Sequence, residues 1–281
     1  MNTAAELGVL AIPVGLLMIG GEFDLSVGSV IGASSILVAS TAGYFNWPMW
    51  ASIAAAVLFG AIVGVSNGII TVSTRLPSFI VTIAGMFIVA GLSLGFSRLI
   101  VGTTSVGVSA VGSAAALFGS QWNGYNVSIC WWIGVTVIAG WILSNTAIGN
   151  WIFATGANRD VARSSGVPVD AVKLGLFIAT GVGASLVGVL QCIQYRTGDV
   201  TFGRDFVFAA PVAAVIGGVL LTGGYGSALG VFIGTTIYGV VNLGIFYTGW
   251  NSEWAQLVLG TLLLIAVLGN NFFRHLALSE R

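Results

Sequence analysis

The chain has 281 residues, 57% hydrophobic and 6% charged, with nine basic and nine acidic side chains. A soluble domain draws on about 25% charged residues for its surface, so a water-solvated globule is excluded. Zero net charge offers nothing for nucleic acid to bind.

Nine apolar stretches read as membrane spans, at residues 7–20, 27–43, 49–71, 78–100, 129–144, 174–195, 206–221, 227–248 and 254–270. A backbone in lipid must satisfy its own hydrogen bonds, so these are helices. The alternating ten-residue segments of a barrel are absent from the sequence. The expected fold class is all-α: a polytopic membrane helix bundle of about nine transmembrane helices, with residues 1–281 as one transmembrane domain.

The first span is short, contains Pro13 and breaks at Gly-Gly-Glu-Phe-Asp, residues 20–24. Glu22 and Asp24 therefore stand between two apolar runs. A new helix can begin at Leu25, with Asp24 as its N-cap and Ser26 in its first turn. Asp24 then serves either as a plain cap for orphan amides or as part of a broken helix facing an aqueous pathway. The two readings are compatible, because non-helical backbone inside a bundle must face protein or water. Glycines recur every fourth residue at Gly60, Gly64, Gly68 and at Gly226, Gly230, Gly234, a spacing that lets helices approach closely.

Two connections are long. Residues 101–128 are rich in Gly, Ser and Thr and carry no formal charge, whereas residues 145–173 hold Arg159, Arg163 and Lys173. Positive charge in short loops marks the cytoplasmic side. Counting outward from there puts Arg75, Arg274 and Arg281 inside as well. Arg196 and Arg204 fall outside, near Asp199 and Asp205, with Arg98 at an outer end. The first helix then starts outside. "MNTAAELG" has no basic n-region and makes a poor signal peptide, so the count expects one further helix before it. Within the basic connection, "NRDVARSSG" reads as a short helix capped by Asn158 and ended by Gly166. Arg159 and Arg163, four residues apart, share one face of it.

Little of the sequence suits catalysis. There is one lysine and one histidine, His275, which reads as a solvated or interfacial side chain in the tail. No P-loop is present, and no His, Cys and acid cluster has metal spacing. Cys130 and Cys192 lie far apart in apolar runs and read as packing residues. The expectation is a pore or carrier with no catalytic residue and no metal or cofactor of its own.

"GGEFDLSVGS" resembles the "GGIDLSVGS" segment of permease subunits of bacterial ABC importers for monosaccharides, the ribose, xylose, arabinose and autoinducer-2 group. The resemblance continues through "NGIITVSTRLPSFIVTIAGM", "IGNWIFATGANRDVARSSGVPVDAVK" and "AVIGGVLLTGGYGSALGVFIGTTIYGVVNLGI" to "LVLGTLLLIAVL". It implies about ten helices with the amino terminus inside, so the first is missing here. It implies a second permease copy or paralogue, a cytoplasmic ATPase that carries the ATP and Mg, and a periplasmic sugar-binding protein. It further implies that the basic segment docks into a cleft on the ATPase through Gly156, Asn158, Arg159, Ala162, Arg163, Ser165, Gly166 and Val167. Read without the resemblance, the same segment is a solvated positive-inside turn. Glu22, Asp24 and Ser26 remain the pathway or helix-break candidates. The segment departs from the usual motif in one place: Glu22-Phe23 stands where a single Ile is usual. Later, Val207 and Pro211 replace a usual acid and Ile, with Asp205 the nearest acid.

The function expected is the permease subunit of an ATP-driven importer, moving a simple sugar or related polyol across the bacterial inner membrane. The alternatives are a permease for nucleosides or branched-chain amino acids, and a secondary carrier working alone. Such a carrier would use a buried charge for ion coupling, and only Glu22, Asp24 and Arg98 offer one.

Overall fold

A computed structural model describes the backbone of residues 1–109, 112–249 and 254–279, and the side chains of all of these except 246, 255 and 270–279. Arg281 and the side chains of Arg274 and His275 lie outside the described residues.

The chain forms helices α1 (Asn2–Ile19), α2 (Val27–Val38, continued in wider turns to Tyr44), α3 (Met49–Thr74) and α4 (Ser78–Ile100). After strand β1 (Ser105–Gly107) come α5 (Gly112–Phe118), the short β2 (Gln121–Trp122) and β3 (Tyr125–Asn126), α6 (Ser128–Asn145), α7 (Ala147–Ala157) and α8 (Arg159–Ser164). Then follow α9 (Val169–Tyr195), β4 (Thr197–Asp199), α10 (Phe206–Ile216), α11 (Ala228–Tyr247) and α12 (Trp254–Ser279). This is the all-α polytopic bundle expected from composition. The strands only pair connections, β1 with β4 and β2 with β3, both antiparallel.

Each of the nine expected spans falls on a helix. Among the described residues, seven helices are long and apolar enough to cross a membrane: α1, α2 with its continuation, α3, α4, α6, α9 and α11. The other two apolar segments, Phe206–Ile216 and Gln256–Gly269, are shorter. The span read as 206–221 stops at Ile216, because Gly217 and Gly218 turn the chain out of the helix.

α1 is the axis of the bundle. Every residue from Ala4 to Ile19 is buried, as expected for a helix apolar on nearly every side, with the one acid, Glu6, bonded by Gln191 and Tyr195 of α9, and it packs against α6, α9, α10 and α11. α3 and α4 are the opposite case, with large apolar side chains such as Leu58, Phe87 and Leu99 turned outward. In lipid that exposure carries no penalty.

The glycine stripes serve packing within the chain. A Cβ on Gly60 would stand 2.3 Å from the Gly181 carbonyl oxygen, and one on Gly64 2.3 Å from that of Phe177. α3 and α9 thus meet backbone to backbone, as small residues permit in membranes. Gly230 and Gly234 face the backbone of Gly217 and Ala213, and Gly226 precedes α11.

The connection read as a loop over 145–173 is mostly helix. Two caps restart it: Thr146 Oγ1 accepts the Gly149 N–H at 3.2 Å, and Asn158 Oδ1 accepts those of Asp160 and Val161 at 3.1 Å. α7 and α8 lie at the end of the bundle where α1 finishes. At the opposite end, Asn2 bonds to Gly124 and Asn126, and Ser35 to Asp199.

Candidate functional site

α1 ends in a tight reversal. The Gly21 N–H donates to Met18 O at 2.9 Å and the Glu22 N–H to Leu17 O at 3.1 Å. This is the glycine-ended Schellman pattern, and it requires the left-handed backbone that Gly21 adopts at φ +83°. The chain then runs without helix to Ser26.

The expected cap at Asp24 is displaced by two residues. Ser26 occupies the N-cap position and α2 begins at Val27. Asp24, 2% exposed, bonds both to Ser26 just ahead of the helix and across the bundle to α9. Its Oδ1 accepts the Ser26 N–H at 2.9 Å and the Ser26 hydroxyl at 2.6 Å, and its Oδ2 accepts the Thr180 hydroxyl at 2.7 Å. Ser26 Oγ in turn accepts from Asn67 Nδ2 at 2.8 Å. One carboxylate and one hydroxyl thus tie the break to α3 and α9. On the α4 side, the Phe23 N–H donates to Ser78 Oγ at 3.0 Å.

Glu22 pairs with Lys173, and their side chains are 12% and 7% exposed. Lys173, expected in a solvated basic loop, is buried because α9 already begins at Val169 and this residue faces the bundle. Lys173, Phe177, Thr180 and Ala184 form one buried stripe of α9. The signal available beforehand was that the single lysine of a charge-poor chain lies seven residues, two helical turns, before Thr180.

The basic segment forms the short helix that its sequence suggested. Asn158 caps α8. At its far end the Val167 N–H donates to Ala162 O at 3.1 Å and the Gly166 N–H to Arg163 O at 3.0 Å. This is a second Schellman ending, with Gly166 at φ +86°. Ala162 is buried, Val167 half-buried and Ser165 exposed. Arg159 and Arg163 do share a face, but both turn to Asp170 at the start of α9, at 3.6 and 2.5 Å. Asp170 therefore offsets part of the positive charge expected of this segment.

The two sets of candidate residues meet at Gly156. A Cβ there would lie 1.8 Å from Ile19 O and 2.6 Å from Gly224 N. Ile19 O itself accepts the Gly224 N–H at 2.8 Å. A Cβ on Gly223 would lie 2.8 Å from the Gly21 Cα. The end of α7, the end of α1 and the glycine loop after α10 thus touch without intervening side chains. Such a junction can transmit displacement. It holds no arrangement of nucleophile and base.

Residues 1–267 match the family model described as branched-chain amino acid transport system / permease component. The ribose import permease protein RbsC of Escherichia coli (strain K12) is 29% identical over 270 residues, covering 94% of this chain and 81% of that protein. The xylose transport system permease protein XylH of the same strain is 27% identical, covering 95% and 82%. The autoinducer 2 import system permease protein LsrD of Klebsiella pneumoniae subsp. pneumoniae is 25% identical, covering 96% and 81%. No solved structure matches the chain.

Proposed function

The chain belongs to this family of transport-system permease components and is a multi-pass inner-membrane protein, and on that premise we propose that it forms the membrane-spanning part of an ATP-driven importer for a simple sugar or related polyol. Residues 1–281 act as one transmembrane domain. The observation that carries the reading is the backbone junction at Gly156, where the segment suited to docking touches the helix break. A partner ATPase in the cytoplasm binds ATP and Mg and grips α8. Its closure moves α8, and the junction passes that motion to Glu22, Asp24 and Ser26, which then open to one side or the other. Such coupling requires the partner to bind the two states with different free energy.

A second copy or a close paralogue completes the pathway, and a periplasmic binding protein delivers the solute. Relatives named for ribose and xylose support a sugar over a branched-chain amino acid. The engagement of all three acids buried among the described residues supports an ATP-driven subunit over a carrier working alone. Glu22 is held by Lys173, Asp24 by Ser26 and Thr180, and Glu6, which the sequence reading did not single out, by Gln191 and Tyr195, which leaves none of them poised for ion coupling.

The test is reconstitution with an ABC ATPase and a periplasmic sugar-binding protein from the same organism. Proteoliposomes should take up radiolabelled D-ribose, D-xylose or ribitol only with ATP inside. Uptake driven by a sodium or proton gradient in liposomes that lack the ATPase would overturn the reading.

A further inference from the structure

We propose that the first two turns of α9 are the relay between the docking segment and the helix break, with Asp170 and Lys173 as positioning residues. The proposal rests on the permease reading above. Asp170 and Lys173 are three residues apart, so they neighbour one another on the helix surface, about 4.5 Å apart along the axis. Asp170 holds Arg159 and Arg163 of α8. Lys173 holds Glu22. A displacement of α8 therefore reaches the break through a single turn of rigid helix.

Three features favour a relay over mere packing. First, a buried ion pair is a poor stabiliser, and an apolar pair of similar volume serves a fold as well or better. A chain with 6% charged residues that still buries one is using it for something other than stability. A charged hydrogen bond adds a fixed partner and direction that an apolar contact lacks. Second, Lys173 holds the very residue whose backbone ends α1, since the Glu22 N–H donates to Leu17 O. A pull on that side chain acts on the last turn of the central helix. Third, α9 grips the break twice, because Thr180 lies two turns beyond Lys173 and bonds to Asp24 at 2.7 Å. The break cannot stay in place while α9 shifts.

The test uses the assembled complex in proteoliposomes. A Phe23→Cys reporter is placed in the break, in a Cys130→Ser background, with Cys192 fully buried. Its labelling by a maleimide is compared with and without Mg-ATP and vanadate. In the parental complex the labelling rate should change at least fivefold. In Glu22→Leu/Lys173→Met the protein should fold and the complex should still hydrolyse ATP, but the nucleotide-dependent change should fall below twofold. The exchanged pair Glu22→Lys/Lys173→Glu should restore it. A structural role alone would leave the labelling change intact once the apolar pair had folded. An undiminished change in the apolar double variant overturns the relay, and so does a parental complex whose labelling ignores nucleotide. Failure of any ATPase to assemble with the chain removes the permease reading itself, and the relay with it.

Discussion

The first turn of α9 carries an ion-pair contact at each end of its short stretch, and the two are set in opposite solvents. Asp170 and Arg163 are 51% and 43% exposed, while Lys173 and Glu22 are 7% and 12% exposed. Coulomb attraction is the same in kind at both. Water screens the outer pair, which is worth about 0–1 kcal/mol. The inner pair has already lost its water, so the removal of one partner strands a buried charge at about 3–5 kcal/mol. The outer contact is thus open to added contacts from another protein while still joining α8 to α9, and the inner one is fixed. An element that docks at one end and grips at the other needs that asymmetry.

The sharpest way to break the comparison is Lys173→Met. It should destabilise the detergent-solubilised protein by about 3–5 kcal/mol, because Glu22 is left buried and unpaired. Thermal unfolding measures this, and Glu22→Leu/Lys173→Met should recover most of the loss. A single variant as stable as the parent would mean that water reaches Glu22 and that the two contacts do not differ.

Next in size is Gly156→Ala, which asks whether the backbone junction or the charges join the two regions. The new methyl would meet Ile19 O at 1.8 Å, and the obstacle is main chain rather than a movable side chain. Overpacking of this kind costs about 1–3 kcal/mol. Uptake by the reconstituted complex should fall with it. Parental stability and uptake together would show that the junction is looser than its geometry.

What the sequence revealed and what it hid divide along the same line. The spans, the Asn158 cap and the Gly166 ending were legible because each is a local signal: an apolar run, a side chain that accepts amides, and a glycine free to turn left-handed. Lys173 and Glu22 are 151 residues apart, and Thr180 and Asp24 are 156 apart. Nothing local announces either pairing. Asp24 was read as a cap because aspartate favours caps, but its carboxylate finds better donors on Ser26 and on another helix. Residues 145–173 read as a connection because they hold Arg159, Arg163 and Lys173; the Asn158 helix inside them was legible, while the helix that Thr146 starts was not.

Asn158→Ala should act only on the docking end. The Asn158 side chain satisfies the amides of Asp160 and Val161, and an alanine leaves both to water at about 1 kcal/mol. Hydrogen exchange should accelerate at those two amides and stay unchanged at Lys173. Spread of the change into α9 would mean that α8 and α9 fold as one unit.

The smallest expected effect is that of Asp170→Asn, and it separates stability from position most cleanly. The substitution keeps the size of the side chain and a hydrogen-bond acceptor but removes the charge that holds Arg159 and Arg163. Both guanidinium groups can turn to water, so the unfolding midpoint should move by no more than about 0–1 kcal/mol allows. Salt should mimic the variant: at about 1 M the Debye length is roughly 3 Å, which suffices to screen a contact open to solvent. The inner pair should not respond to salt, being shielded by protein. Hydrogen exchange at α8 should rise modestly in the variant and in the salted parent alike, with no change at Glu22. If Asp170→Asn instead destabilised the protein as much as Lys173→Met, the outer contact would be as structural as the inner one. The two contacts would then not differ in the way that their exposure implies.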